Sequence, residues 1–312
     1  MNTPPEPAQH SPLSTRIDNF LAALTARKYS PNTVSTYAID LAHLLEQVGD
    51  VEPIGLSSHD IRRALAAMHG RGYKPKTLAR TISAWRSFFH YLVRIGLALV
   101  NPAMGIRPPK GPKMLPNALS VGEMAKLLDG GVGDIWEIRD QAMFELMYSS
   151  GLRRAELIGL DLNSVDLREG EVVVIGKGSV TRIVPVGGKA IEAIRIWLKQ
   201  RKEVAGRNIT ALFVGARGAR ISTTSLRLAL DRMASKRGVT AHVHPHALRH
   251  SFASHMLQFS GDLRAVQEML GHVSLSSTQI YTHVNVKHLV EVYGLAHPRA
   301  LKKQAATEPS GE

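Results

Sequence analysis

The sequence predicts a mainly α protein with a small β-sheet, arranged as an N-terminal four-helix bundle followed by an α+β domain. Three observations carry this. Apolar residues recur at helical spacing through the first hundred positions; a proline-dense break follows; and beyond it one pair of β-branched runs interrupts an otherwise helical pattern. At 312 residues, 44% of them hydrophobic, the chain is long enough for two domains that each bury a core. The expected boundaries are a flexible N-terminus over 1–12, a helical domain over 13–98, a linker over 99–118, a second domain over 119–301 and a flexible tail over 302–312.

In the bundle, Ser14 is read as the cap of a first helix carrying Ile17, Leu21 and Leu24. Ser30 then Pro31 marks a second start, cap followed by N1 proline, and Val34, Tyr37, Leu41, Leu44 and Val48 share one face behind it. A third helix runs from about Ser58 with Ile61, Leu65 and Met68. A fourth carries Leu78, Ile82, Trp85, Phe89 and Leu92 and ends near Gly96. Arg27, Lys28, Arg62, Arg63, Lys74, Lys76, Arg80 and Arg86 stand among these helices and would suit a face laid on phosphates. Between Asn101 and Pro116 five prolines forbid a continuous helix, so the chain should run semi-extended.

Ser120 and Glu123 have the spacing of a capping box that opens the second domain. Glu171–Ile175 and Arg182–Val186 flank Gly176-Lys177-Gly178, a hairpin or small-sheet signal. Helices return from about Lys189 and continue to about residue 300.

Charge and composition narrow the function classes. A net charge of +13 favours a polyanionic partner, a nucleic acid or an anionic membrane surface. No apolar run approaches the roughly 20 residues that span a bilayer, and Met1–Pro12 lacks the apolar core of a signal peptide, so a soluble, cytoplasmic protein is expected. There is no cysteine, which removes disulfides, thiolate nucleophiles and Cys-ligated zinc.

Four segments carry candidate chemistry. In Gly151-Leu152-Arg153-Arg154-Ala155-Glu156 a glycine precedes a helix whose first turn would present Arg153, well placed for a phosphate near free N–H groups, with Glu156 beside it. Lys177 stands between glycines at a turn tip, a solvated lysine able to act as a proton donor. In His244-Pro245-His246-Ala247-Leu248-Arg249 a capping histidine and an N1 proline start a helix. Leu248, Phe252 and Phe259 should face the core, and His246 and Arg249 should share the other side as a phosphate grip. His246 and His250 are spaced i, i+4, but without the Glu of an HExxH arrangement zinc is disfavoured. In the fourth segment Gly271 should end a helix begun near Asp262 and leave His272 at a corner. Ser276 and Gln279 form a second capping-box pattern, with Tyr281 in the first turns of a short helix.

Together these segments resemble the tyrosine recombinase (phage integrase) family. The family's early Arg, β-turn Lys, His-x-x-Arg helix, Leu-Gly-His and Tyr nine residues on fall here on Arg153, Lys177, His246, Arg249, His272 and Tyr281, with none missing. The stretches Ser260–Arg264, Ser277–His283 and Ala296–Ala300 are similar to the Xer branch.

The resemblance implies a SAM-like core-binding domain over 13–98 and a tyrosine recombinase catalytic domain over 119–301. It implies that Tyr281 attacks phosphorus to give a 3′-phosphotyrosyl link and that Arg153 and Arg249 clamp the phosphate. His246 and His272 would donate to its oxygens, and Lys177 would protonate the leaving 5′-oxygen. No cofactor, no metal and no ATP are expected.

Implied partners are double-stranded DNA bearing a dif-type site, a XerD-like recombinase in a cyclic heterotetramer, and a DNA translocase as regulator. Lys287–Leu295 is the segment expected to dock on the neighbouring protomer. Rival readings are a phage- or transposon-type integrase, for whose extra arm-binding domain the stretch before Ser14 leaves no room, and a nicking-closing topoisomerase. A third is a DNA-binding protein that has lost catalysis.

Overall fold

The computed structural model describes residues 12–109, 111, 118–131, 133–176, 181–241, 243–271 and 283–300, without the side chains of 283–287. The chain divides into two units, Met1–Lys113 and Met114–Glu312.

The first unit holds α1 (Leu13–Ala26), α2 (Pro31–Val48), a 3-10 turn at Pro53–Gly55, α3 (Ser58–Gly70) and α4 (Pro75–Arg94). Local chemistry sets the starts of α2, α3 and α4. Ser30 accepts the Thr33 N–H ahead of Pro31, Ser57 and Asp60 form a capping box, and Pro75 occupies the first turn of α4.

The first helix departs from expectation. It begins at Leu13 after Pro12, and Ser14 is no cap. Instead the Ser14 N–H and hydroxyl both donate to the Asp50 carboxylate at 2.8 Å. A carboxylate 36 residues away thus takes a free N–H of the helix's first turn, and the Ser14 hydroxyl donates instead of accepting as a cap would. Phe20, Leu24, Leu41, Leu44, Ile61, Leu65, Met68, Leu78, Ile82, Trp85, Phe88, Phe89 and Leu92 form the core. Inside it Asp40 is fully buried; it accepts two hydrogen bonds from Arg80, at 2.9 and 3.0 Å, and one from Thr81 at 2.7 Å.

The second unit opens with α5 (Val121–Leu128), capped by the Ser120–Glu123 box. Helix α6 (Ile135–Ser149) follows; from Ala142 onward every side chain of it is buried. Around this central helix lie α7 (Arg154–Gly159), α8 (Gly188–Val204), α9 (Thr223–Lys236), α10 (Pro245–Ser260), α11 (Leu263–Leu270) and α12 (His283–Ala296). The sheet has three antiparallel strands in order β1 (Val165–Asp166), β2 (Glu171–Ile175), β3 (Thr181–Pro185). Val173 pairs with Ile183 in register, and Val172, Val174 and Val184 face the core.

One more expectation requires correction. Phe259 is half exposed, because α10 has outrun the core near its C-terminal end, while Leu248 and Phe252 are fully buried as expected. Lys287–Leu295 lies in α12, and in this single chain α12 packs on its own domain. Leu289, Tyr293 and Ala296 join the core, and Tyr293 Oη lies 2.7 Å from Ser149 Oγ. His297 stacks on the Tyr293 ring at 4.7 Å, and Arg299 ion-pairs with Glu145 and, at 3.0 Å, with Asp129. The apolar face of α12 and a buried ion pair just beyond it hold this segment in place.

Candidate active site

Gly151 makes the site possible. It closes the end of α6 with φ +58°, a left-handed backbone that L side chains avoid, and a Cβ there would overlap the Phe252 ring. The chain can therefore turn sharply, bury Leu152 and place Arg153 as the N-cap of α7. From that position the Arg153 N–H donates to Glu156 Oε2 at 2.8 Å and its Nη1 to Oε1 at 2.7 Å.

Glu156 is buried and shared. Arg182 on β3 donates to both of its oxygens at 2.8 Å, and Arg249 on α10 approaches Oε2 at 3.9 Å. Burial alone would push this carboxyl up; the hydrogen bonds from Arg182 and the Arg153 N–H outweigh it and hold the acid down at about 2. Glu156 is thus ionised at neutral pH.

The same three guanidiniums also hold the C-terminal end of α11. Arg182 Nε donates to Met269 O at 2.9 Å, Arg249 Nη2 to Leu270 O at 2.7 Å, and Arg153 Nη2 to Gly271 O at 3.3 Å. Arg249 Nη1 donates in addition to Gly151 O at 2.6 Å. These carbonyls are the orphan acceptors and the negative pole of the helix. They soften the crowding of cations but carry no full charge. Among the described residues three guanidiniums therefore face one carboxylate, and two positive charges stand in excess.

Burial, then repulsion from Arg153, pulls Arg249 down to about 10, still cationic at neutral pH. Such a cluster favours a bound oxyanion, which would supply the missing negative charge.

Of the candidates read from the sequence, the structure brings Arg153 and Arg249 together. Arg249 was expected with His246 on the side of α10 opposite Leu248 and Phe252; it is buried there, its guanidinium turned onto Gly151 and Leu270. His246 lies one turn earlier on α10 and is exposed. His244 caps the helix as expected, its Nδ1 accepting the Ala247 N–H at 3.1 Å. Lys177, His272 and Tyr281 lie outside the described residues. Gly271, which precedes His272, is the left-handed C-cap of α11, and its carbonyl is the one that Arg153 holds.

Arg182 was missed as a site residue. The available signal was strand periodicity: in Thr181-Arg182-Ile183-Val184 the arginine shares the inward phase of Val184, and a buried guanidinium demands a partner.

Comparison with known proteins identifies the family. A model of the phage integrase family matches residues 119–288, and a model of the phage integrase N-terminal SAM-like domain matches residues 17–96. The tyrosine recombinase XerC of Alcanivorax borkumensis is 46% identical over 95% of this chain and 97% of its own length. Tyrosine recombinase XerC 1 of Ralstonia nicotianae is 45% identical over 94% and 96%. The fold also matches the XerH recombinase bound to a palindromic difH substrate in a post-cleavage complex, with a TM-score of 0.66, 23% identity, and coverage of 90% of this chain and 84% of that one. With matched models in both halves and close relatives spanning nearly its whole length, the chain belongs to the phage integrase family, the tyrosine recombinases that cleave and rejoin DNA strands through a tyrosine nucleophile.

Proposed function

We propose that the chain is a XerC-like site-specific recombinase acting in the cytoplasm with a XerD-like partner, in a cyclic heterotetramer on a dif-type DNA site, where it resolves chromosome dimers before cell division. Within the Xer branch its sequence resembles XerC more than XerD, and the XerC relatives support the same reading. The single observation that carries the chemistry is the excess of two positive charges around Glu156, at the end of the helix that leads into residues 272–282.

Displacement at a phosphodiester passes through a pentacoordinate state carrying added negative charge, and fixed guanidinium donors stabilise that charge. In this reading Tyr281 attacks phosphorus and the 5′-oxygen leaves, protonated by Lys177. Arg153 and Arg249 hold the non-bridging oxygens. His246 assists deprotonation of the phenol and donates to an oxygen; His272 donates to another. A phenol beside a cationic cluster ionises more readily than in water. The phosphotyrosyl bond conserves the energy of the broken one, so the 5′-hydroxyl of a partner strand can reseal it without ATP, metal or cofactor.

The test is incubation with nicked dif-type DNA, with and without a XerD-like partner, followed by denaturing gels. Wild-type protein should form a covalent adduct that needs the partner. Tyr281→Phe should bind the DNA equally well and form none. An adduct from the Phe variant would show the nucleophile to be misassigned. Supercoil relaxation by the chain alone would favour a nicking-closing enzyme.

A further inference from the structure

We infer that Arg182 is a positioning residue of the cleavage reaction. It would keep Glu156 from competing with the scissile phosphate and fix the point at which the chain enters the Tyr281 segment. The inference rests on the reading that Arg153 and Arg249 grip that phosphate. Arg182 itself is not a phosphate ligand. It is 3% exposed, and all three of its nitrogens are engaged: Nη1 and Nη2 on Glu156, Nε on Met269 O.

Two observations say what it does instead. Glu156 is the anion already in reach of both phosphate-gripping arginines, 2.7 Å from Arg153 and 3.9 Å from Arg249. Left to those two alone, its full charge would hold their donors against an incoming phosphate. The bidentate fork of Arg182 occupies both carboxylate oxygens and neutralises that charge from the core side, so a phosphate meets arginines whose counter-ion is already satisfied.

The second observation is mechanical. Arg182, Arg249 and Arg153 hold three consecutive carbonyls, at residues 269, 270 and 271, where the chain leaves α11 for His272 and Tyr281. Arg182 anchors the first of them and packs so close that a Cβ at Gly271 would lie 3.1 Å from its Cδ and 3.2 Å from its Nε. Gly271 is also left-handed, at φ +64°. The exit from α11 therefore depends on the arginine for its place and on the glycine for its direction. One side chain thus couples the carboxylate of the grip to the segment that carries the proposed nucleophile.

Arg182→Lys and Arg182→Gln test this in the full chain on nicked dif-type DNA, measuring DNA affinity, single-turnover adduct formation and its pH profile. Lysine keeps the charge, and so the fold, but one ammonium cannot reach both Glu156 oxygens and Met269 O. Both variants should hold DNA within about 3-fold of wild type. Adduct formation should be about 100-fold slower in Arg182→Gln, the loss typical of an ångström of misplacement, and intermediate in Arg182→Lys.

The defect should also shrink toward acid pH, because Glu156 loses the first of the hydrogen bonds that hold it ionised and, once protonated, no longer competes for the arginines. If Arg182→Gln fails to fold, Arg182→Lys decides alone. A folded Arg182→Lys protein with the wild-type rate and profile overturns the inference, as does a loss explained wholly by weaker binding. Arg249→Ala is the control for the underlying reading. If it still cleaves at the wild-type rate, the grip itself is wrong; if it is inactive while Arg182 variants cleave normally, only the positioning role fails.

Discussion

Each of the two units buries a carboxylate against arginine, and the two arrangements are built to different ends. In the helical bundle Asp40 is fully buried, yet its single arginine, Arg80, is half exposed and the charges cancel. Thr81 and Arg80 satisfy its oxygens, and its own carbonyl accepts the Trp85 indole N–H at 2.7 Å. That network ties α2 to α4 and asks for nothing more. Around Glu156 three guanidiniums gather and the charges do not cancel.

A fold gains little from gathering Arg182 and Arg249, both buried, and the partly exposed Arg153 around one carboxylate, since desolvation opposes it. The surplus marks a place where stability is given up for a ligand. Buried ion pairs alone do not reveal function. Around Glu156 it is the imbalance that points to a ligand.

The largest expected effect that could break this contrast is on cleavage. Arg249→Ala should lower single-turnover adduct formation about 100- to 1000-fold, the usual loss when one fixed donor to a developing oxyanion is removed. A rate within a few-fold of wild type would place the charge surplus outside the chemistry.

Next comes the stability cost of deepening the imbalance. Glu156→Gln leaves three cations around a neutral amide and should destabilise the domain by about 3–5 kcal/mol in urea unfolding. Inorganic sulfate should raise the melting temperature of this variant more than that of wild type, by supplying the anion. Acid should act on wild type through the same carboxyl. Its folded value of about 2 lies below its ordinary 4.5, so its contribution is complete above pH 4.5 and fades as pH falls toward 2. That contribution is about 3 kcal/mol. Equal stability of Glu156→Gln and wild type, with or without sulfate, would remove the distinction between the two networks.

The smallest effect belongs to the balanced site. Asp40→Asn should cost about 1.5–3 kcal/mol, the range for hydrogen bonds to a charged group, because Arg80 can turn to water. On saturating DNA the adduct should form at the wild-type rate. A cleavage defect in this variant with the bundle still folded would mean that Asp40 serves more than packing.

The sequence by itself determined what depends on near neighbours. The caps at Ser30, Ser120 and His244, the proline starts of α2 and α10, the glycine end of α11 and the inward valines of β2 all follow from residues a few positions apart. Motif spacing added Arg153 and Arg249, as identities without geometry. Only the tertiary structure could decide the rest.

Ser14 looked like a cap until Asp50, far along the chain, claimed its donors. Arg249 could be placed opposite the core face of α10, but not buried there with its guanidinium on Gly151 O and Leu270 O. Arg182 became part of the site only when strand, loop and two helix ends met around Glu156. Local propensity is written in adjacent side chains, whereas the balance of buried charge is a sum over residues that only folding brings within reach of one another.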